Sequence, residues 1–368
     1  MKNRFNKITT LVTSLLVAIF CLGIIAVPDK AFSSAENRTL MQKPKFTSKN
    51  FLSGKYTADL GKYLADQFPL REAFVSSKAY FELLQGKREN NGIIHVSKNL
   101  LVARPEEADR LEENLRSIKV FADNVNTEVL VAALPRSIDV FEEYLPEFCP
   151  KEETKDLWED YNALTKKLNL KTVDLYDTLC ESNAYYSTDH HYTSNGAYLT
   201  YLQLKEGLNF TPKNQDFFDV QKVADDFCGT SMRKSGFYLA DKDTIELYRY
   251  KGDLDYSVIA DGEEISLYDM GKLDTTDKYS VFLGGNHSRV DITLQGEERP
   301  KLLMVRDSFA DSLVPFLALH YDITLIDLRY FNDSVASLTK NEDYDKVLVL
   351  LNVSEFSTSN NLSYLEMP

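Results

Sequence analysis

Lys301-Leu302-Leu303-Met304-Val305-Arg306-Asp307-Ser308-Phe309-Ala310 is the stretch on which the reading of this chain turns. An apolar run, Leu302 to Val305, passes through a charged pair and a hydroxyl into a helical pattern over Phe309 to Leu319. A short continuous apolar run reads as a strand buried on both faces, and a strand leading directly into a helix is the unit of a parallel sheet. Ser308 would then stand above the carboxyl edge of the sheet, where open α/β sheets bind ligands. The first N–H groups of the helix lie beside it, aimed to stabilise an oxyanion. The plain alternative is that Asp307 or Ser308 only caps the helix. On this stretch alone the cap is the better reading.

Outward from it the alternation continues. Ile323–Leu328 and Val347–Leu351 read as strands on the C-terminal side, and Glu128–Leu134 and Lys171–Leu175 on the N-terminal side, with a helix over Lys155–Leu168. Such βα alternation predicts a mostly parallel sheet flanked by helices. Glu106–Asn124 has Leu111, Leu115 and Ile118 at helical spacing. Helices over Phe51–Ala65 and Ala73–Gly86, separated by Asp66-Gln67-Phe68-Pro69-Leu70-Arg71, and a hairpin over Ile93–Val102 complete a helical neck at 51–125. Residues from about 208 to 278, rich in charge, Tyr and Phe, read as an insertion within a catalytic domain at 51–368, and residues 31–50 as a polar tether.

Ile8–Val27 is an uncharged, mostly apolar run of bilayer-spanning length, preceded by Lys2, Arg4 and Lys7. This predicts a signal anchor at 1–30 and delivery of the remainder outside the membrane. Cleavage at the small residues Ser33-Ser34-Ala35 is the alternative, although the run is long for a signal peptide. A buried N-terminal core helix is disfavoured by the flanking charges. Cys21 makes no lipoprotein site, because bulky Phe20 precedes it.

Residues 1–30 carry a net charge of +3, which leaves −17 for the rest. An acidic exterior argues against nucleic acid or anionic lipid as partner, since both need basic patches. Outside the apolar run there are three cysteines, Cys149, Cys180 and Cys228. They permit at most one internal disulfide and have no metal-type spacing. No metal site or cofactor is expected.

Thr188-Asp189-His190-His191-Tyr192-Thr193 changes the balance for Ser308. A serine nucleophile needs an imidazole base, and the imidazole needs a carboxylate to fix its tautomer. In an extended loop residues two apart point the same way, so Asp189 and His191 converge while His190 points elsewhere. A metal site and a polar capping loop are the alternatives; no further cluster completes the former.

Asp189-His190-His191-Tyr192 and Arg306-Asp307-Ser308-Phe309-Ala310 together resemble the DHHW family of extracytoplasmic proteins. The resemblance extends through Glu36-Asn37-Arg38, Asp66–Arg71, Asn91-Gly92, Gly284-Gly285-Asn286 and Asp327-Leu328-Arg329-Tyr330. That family is similar to the alginate O-acetyltransferases, whose catalytic domains are SGNH-hydrolase-like. The resemblance implies a triad of Ser308, His191 and Asp189. It departs at Tyr192, where Trp is usual, and at Arg306, where the acetyltransferases have Gly; Arg306 puts a cation near the nucleophile.

Chain order points to the same fold. An SGNH enzyme cut between its third and fourth strands, and so circularly permuted, gives the order found here. Asn352, after the last strand, then falls where an oxyanion-hole asparagine belongs. Asn286, after an apolar strand over Ser280–Leu283, is its rival, and either reads equally well as a turn residue.

The expected activity is O-acetylation of a cell-surface or secreted polysaccharide through an acyl-serine. The resemblance implies a membrane-bound O-acyltransferase as donor partner. Tyr238, Tyr248 and Tyr250 are candidates to stack on sugar rings, although core packing is the commoner use of such residues. A carbohydrate esterase or deacetylase with the same triad is the first alternative. A non-catalytic adaptor in a polymer-export complex is the second, and retention of all three triad residues counts against it.

Overall fold

A computed structural model describes residues 2–33, 35–36, 38–105, 109–147, 149, 151–182, 184–296 and 298–367. Ser34, Asn37 and Glu106, named above, lie outside this set. The chain divides into two compact units, Met1–Asn91 with Arg233–Tyr238, and Gly92–Met232 with Leu239–Pro368.

The first unit is helical. Lys2–Ala26 forms one helix, and its Asn6–Ile24 portion is long and apolar enough to cross a membrane. The expected helix over Phe51–Ala65 is split into Ser48–Leu52 and Lys55–Asp66, because Gly54 adopts φ +75° between them. Arg71–Leu84 follows. Two of the quoted motifs meet here. Arg38 donates to both Asp66 oxygens, at 2.6 and 3.0 Å, and to Glu36 at 2.8 Å, while Arg71 pairs with Glu36. The Arg38 bond holds the Asp66 carboxyl below the usual range. These residues clamp the unit together. The excursion Arg233–Tyr238 is bound by Asn90, whose Nδ2 donates to the Ser235 carbonyl at 2.6 Å.

The second unit holds the α/β domain. Its central sheet has eight strands, here numbered in chain order: β1 Val129–Leu134, β2 Lys171–Val173, β3 Tyr256–Ala260, β4 Glu263–Glu264, β5 Arg289–Leu294, β6 Lys301–Arg306, β7 Asp322–Ile326 and β8 Lys346–Asn352. They lie in the order β4-β3-β5-β7-β6-β8-β1-β2. The five from β7 to β2 are parallel. Counted from β6 and wrapped from the C-terminus to β1, their order is 2-1-3-4-5, the doubly wound arrangement whose ligand crevice opens where strand order reverses. That point lies between β6 and β8. The domain is SGNH-like and permuted, as its chain order predicts.

The sheet is not wholly parallel: β5, β3 and β4 extend it antiparallel from β7. Alternate residues of β6 enter two cores, Leu302 and Met304 on one face and Leu303 and Val305 on the other. Ser194–Leu208 covers the first face through Ala197, Tyr201 and Leu204; Leu111–Asn124 and Lys151–Lys167 cover the second through Leu115, Ile118 and Trp158. Each fully buried Leu, Ile, Val or Met among these is worth about 1.5–3 kcal/mol.

Two short elements depart from expectation. Phe309–Leu319 is a 3-10 turn over Ser308–Ser312 followed by the short helix Val314–Leu317. Ser280–Leu283 is no strand: a 3-10 turn spans Lys278–Val281, and Leu283 takes φ +58°. The region from 208 contributes an antiparallel ribbon, Phe218–Phe227 with Asp243–Tyr250, besides β3 and β4. Cys149, Cys180 and Cys228 of this unit form no disulfide among the described residues.

Candidate active site

Ser308 leaves β6 at the reversal point. Asp307 Oδ1 accepts the Phe309 N–H at 3.0 Å, and its Oδ2 accepts the Asn352 N–H at 2.7 Å. Asp307 is therefore the cap of the turn, which leaves the Ser308 hydroxyl free to face another group. That group is His191: its Nε2 lies 2.8 Å from Ser308 Oγ.

His191 sits at the tip of a narrow loop closed by paired Tyr185 and Tyr192, with Tyr186 N–H donating to the His191 carbonyl at 3.1 Å. Asp189 Oδ1 accepts both the His191 backbone N–H, at 3.0 Å, and Nδ1, at 2.6 Å. The short carboxylate thus sets backbone and ring together, as in an Asx turn. Asp189 and His191 are buried, and Ser308 is half-buried. Burial opposes charge on Asp189, but His190 and His191 beside it and the Thr230 N–H at 2.6 Å hold its carboxyl well below the usual range. Donor–acceptor distances along this line suit proton transfer from a hydroxyl to an imidazole.

His190 does not point away. Its ring lies 3.9 Å from that of His191, its Nδ1 is 3.5 Å from Asp189 Oδ1, and its side chain is 40% exposed. The loop turns too tightly for strict alternation. Asp189, His190 and His191 thereby gather ligand-type atoms within 4.8 Å of one another. Both nitrogens of His191 are already engaged, by Asp189 and Ser308.

Three contributors were not legible in sequence. Tyr279 stacks on His191 with centroids 3.9 Å apart and planes 8° from parallel, and its hydroxyl donates to the Ser308 carbonyl at 3.1 Å. Asp243, on the ribbon, accepts from Ser187 N and Thr188 N at 2.9 and 2.8 Å. Gly229 packs so closely that a Cβ there would lie 2.3 Å from the Thr188 carbonyl oxygen and 2.4 Å from Asp189 Cβ.

The remaining candidates are dispersed. Asn352 lies at the corner, but its side-chain amide donates to the Pro135 carbonyl at 3.1 Å and its Oδ1 accepts the Ser354 N–H. Asn286 is exposed in the turn after Leu283, with no bond to the triad among the described residues. Tyr192 is fully buried against Tyr185 and Phe309. Arg306 is buried too, 3.2 Å from Asp311 and 3.5 Å from Asp327. Burial pushes the Asp311 carboxyl up to about 7, against the pull of Arg306. Tyr248 is core, Tyr250 stacks on Phe217, and Tyr238 belongs to the first unit.

Fold and site together define an SGNH-like α/β domain in which Ser308, His191 and Asp189 form a hydrogen-bonded line at the strand-order reversal. The DHHW protein family model matches residues 161–326, a span that contains both the Asp189–Tyr192 and the Arg306–Ala310 motifs, so the resemblance to that family is borne out. Among solved structures, a DHHW family protein from Eubacterium siraeum is 21% identical with a TM-score of 0.65, covering 75% of this chain and 95% of its own. PatB1 of Bacillus cereus, solved with a sulfonyl adduct, is 17% identical with a TM-score of 0.63, covering 75% and 98%. The O-acetyltransferase domain of Pseudomonas putida AlgJ is 17% identical with a TM-score of 0.50, covering 74% and 94%. No curated protein matches the sequence.

Proposed function

We propose that this chain is an extracytoplasmic serine O-acetyltransferase that acylates a polysaccharide. The observation that carries the reading is the unbroken line from Asp189 through His191 to Ser308. His191 Nε2 takes the Ser308 proton as Oγ bonds to the acyl carbon, and the oxyanion is met by the Ser308 N–H. The donor's leaving group departs with the proton from His191, giving acyl-Ser308. A sugar hydroxyl then loses its proton to His191 and bonds to the acyl carbon, and Ser308 Oγ departs taking that proton back from His191. Asp189 keeps Nδ1 protonated throughout. Tyr279 fixes the plane of the ring.

The likeness to a domain described as an O-acetyltransferase supports transfer, and a neighbour solved with a sulfonyl adduct supports covalent chemistry on this fold. A membrane-bound O-acyltransferase is the proposed donor, and the Asn6–Ile24 segment the proposed anchor. Hydrolysis by the same acyl-enzyme is the second reading, favoured by the half-open position of Ser308.

Partitioning separates them. With a small acetyl ester and rising neutral oligosaccharide, a transferase yields acetylated sugar while free acetate falls; acetate release that ignores every acceptor assigns the esterase reading. Fractionation with N-terminal sequencing tests the anchor, since a soluble species starting at Glu36 means cleavage after Ala35.

A further inference from the structure

Net charge hides an asymmetry along the chain. Residues 1–91 hold 14 Lys and Arg against 7 Asp and Glu, whereas the rest holds 28 against 49. The excess is concentrated just after the apolar helix, where Lys43, Lys45, Lys49, Lys55 and Lys62 stand against Asp59 alone. All five lysines are exposed, and none makes an ion pair among the described residues. Large apolar side chains lie among them. Phe46 packs on Phe51 and Tyr56, with centroids 5.8 and 5.2 Å away, yet Phe46 is 63% and Leu52 84% exposed.

A second apolar row lies on helix Arg71–Leu84. Leu70, Phe74, Phe81 and Leu84 fall within one stripe at helical spacing, and all are exposed, Leu84 by 86%. The opposite face is already used, by buried Ala79 and by Val75 against Gly236. The exposed row continues the apolar helix directly: Phe20, within Asn6–Ile24, lies 5.5 Å from Phe74 and 5.0 Å from Phe68.

We propose that this basic, aromatic surface of the first unit lies on the outer face of the bilayer and binds anionic lipid headgroups. Unpaired lysines beside exposed aromatic and aliphatic side chains match the chemistry of a membrane interface, with charge meeting headgroups and rings entering the acyl boundary. The stripe that continues from the spanning helix makes lipid, rather than a protein, the occupant. The inference rests on the anchor reading and adds that the anchor does not act alone. The acidic remainder of the chain is repelled by the same surface.

The test uses the full chain in vesicles whose lipids are brominated near the headgroup, made with or without phosphatidylglycerol. The single native Trp158 is buried and gives a constant background. Leu52→Trp and Phe81→Trp should be quenched, more strongly with phosphatidylglycerol. Lys45→Glu with Lys49→Glu and Lys55→Glu should remove most of the quenching at Leu52→Trp. Leu15→Trp, at the middle of the span, reports the anchor separately in vesicles brominated near the ends of the acyl chains: if it is unquenched there, the anchor reading itself fails. If it is quenched while Leu52→Trp and Phe81→Trp are not, the proposal is overturned. Quenching indifferent to phosphatidylglycerol overturns the assignment to anionic headgroups.

Discussion

Asp243 holds the loop that carries Asp189 and His191 at three points: Oδ2 accepts from the Thr188 N–H at 2.8 Å and from its hydroxyl at 2.5 Å, while Oδ1 takes the neighbouring Ser187 N–H. The next residue is Asp189. A carboxylate that touches no reacting atom therefore sets the height of the Asp189–His191 tip. Asp243→Asn, which keeps the volume and loses the charge, should lower kcat by about 100-fold with little change in KM, the usual cost of misplacing a catalytic group by about an ångström. Steady-state kinetics with melting curves checks this, since a fold-wide defect would also lower the melting temperature.

Ser308→Ala and His191→Ala should each reduce ester turnover by roughly 10³-fold or more, and the double variant by little beyond either, because the members of a relay fail as a unit. His190→Ala should retain a large share of activity: its ring lies on His191, but Ser308 is bonded to the other histidine. Turnover of the three variants beside the wild type reads this directly. Full activity in His191→Ala would show that the relay is misassigned.

Gly229→Ala should be severe for so small a change. The added Cβ would fall within 2.5 Å of the Thr188 carbonyl and of Asp189 Cβ, which are backbone and the root of a buried side chain rather than a yielding side-chain tip. Overpacking of this kind costs about 1–3 kcal/mol. Denaturant titration should show that loss, and activity should fall further than the fraction folded explains.

Glu128 bridges Lys171 and Lys346 at 2.6 Å each, and those bonds lower its carboxyl to about 2. Its folded value lies below its unfolded one, so the stabilisation is present above the unfolded value and lost as pH falls toward about 2. The group is well exposed, so Glu128→Gln should cost no more than about 1 kcal/mol near neutrality. The difference between variant and wild type should shrink in acid. Chemical denaturation at both pH values measures it.

What sequence revealed depended on how local the signal was. The strand at Lys301–Val305 and the Asp189–His191 pair are written in neighbouring residues, and both are where their patterns place them. Asp243 lies 55 residues from Thr188 and looks like any acidic residue opening a strand. Tyr279 sits in a 3-10 turn with no periodicity to report its ring on His191. Arg306 showed its charge but not its partners: Asp311 and Asp327, 5 and 21 residues further on, stand beside it where it is buried. The antiparallel additions were hidden because β4 is only two exposed glutamates and β5 alternates polar with apolar residues, beside the continuous apolar runs of β6 and β8.

The two ends of the sheet are alike in one respect. At one end β4 is only Glu263 and Glu264, both exposed; at the other β2 is three residues long and begins with exposed Lys171. A long bare strand at either margin would offer a row of unpaired N–H and C=O groups to any unfolded neighbour. Here the offer is two or three residues long and charged. The sheet is thereby poorly suited to templating its own aggregation.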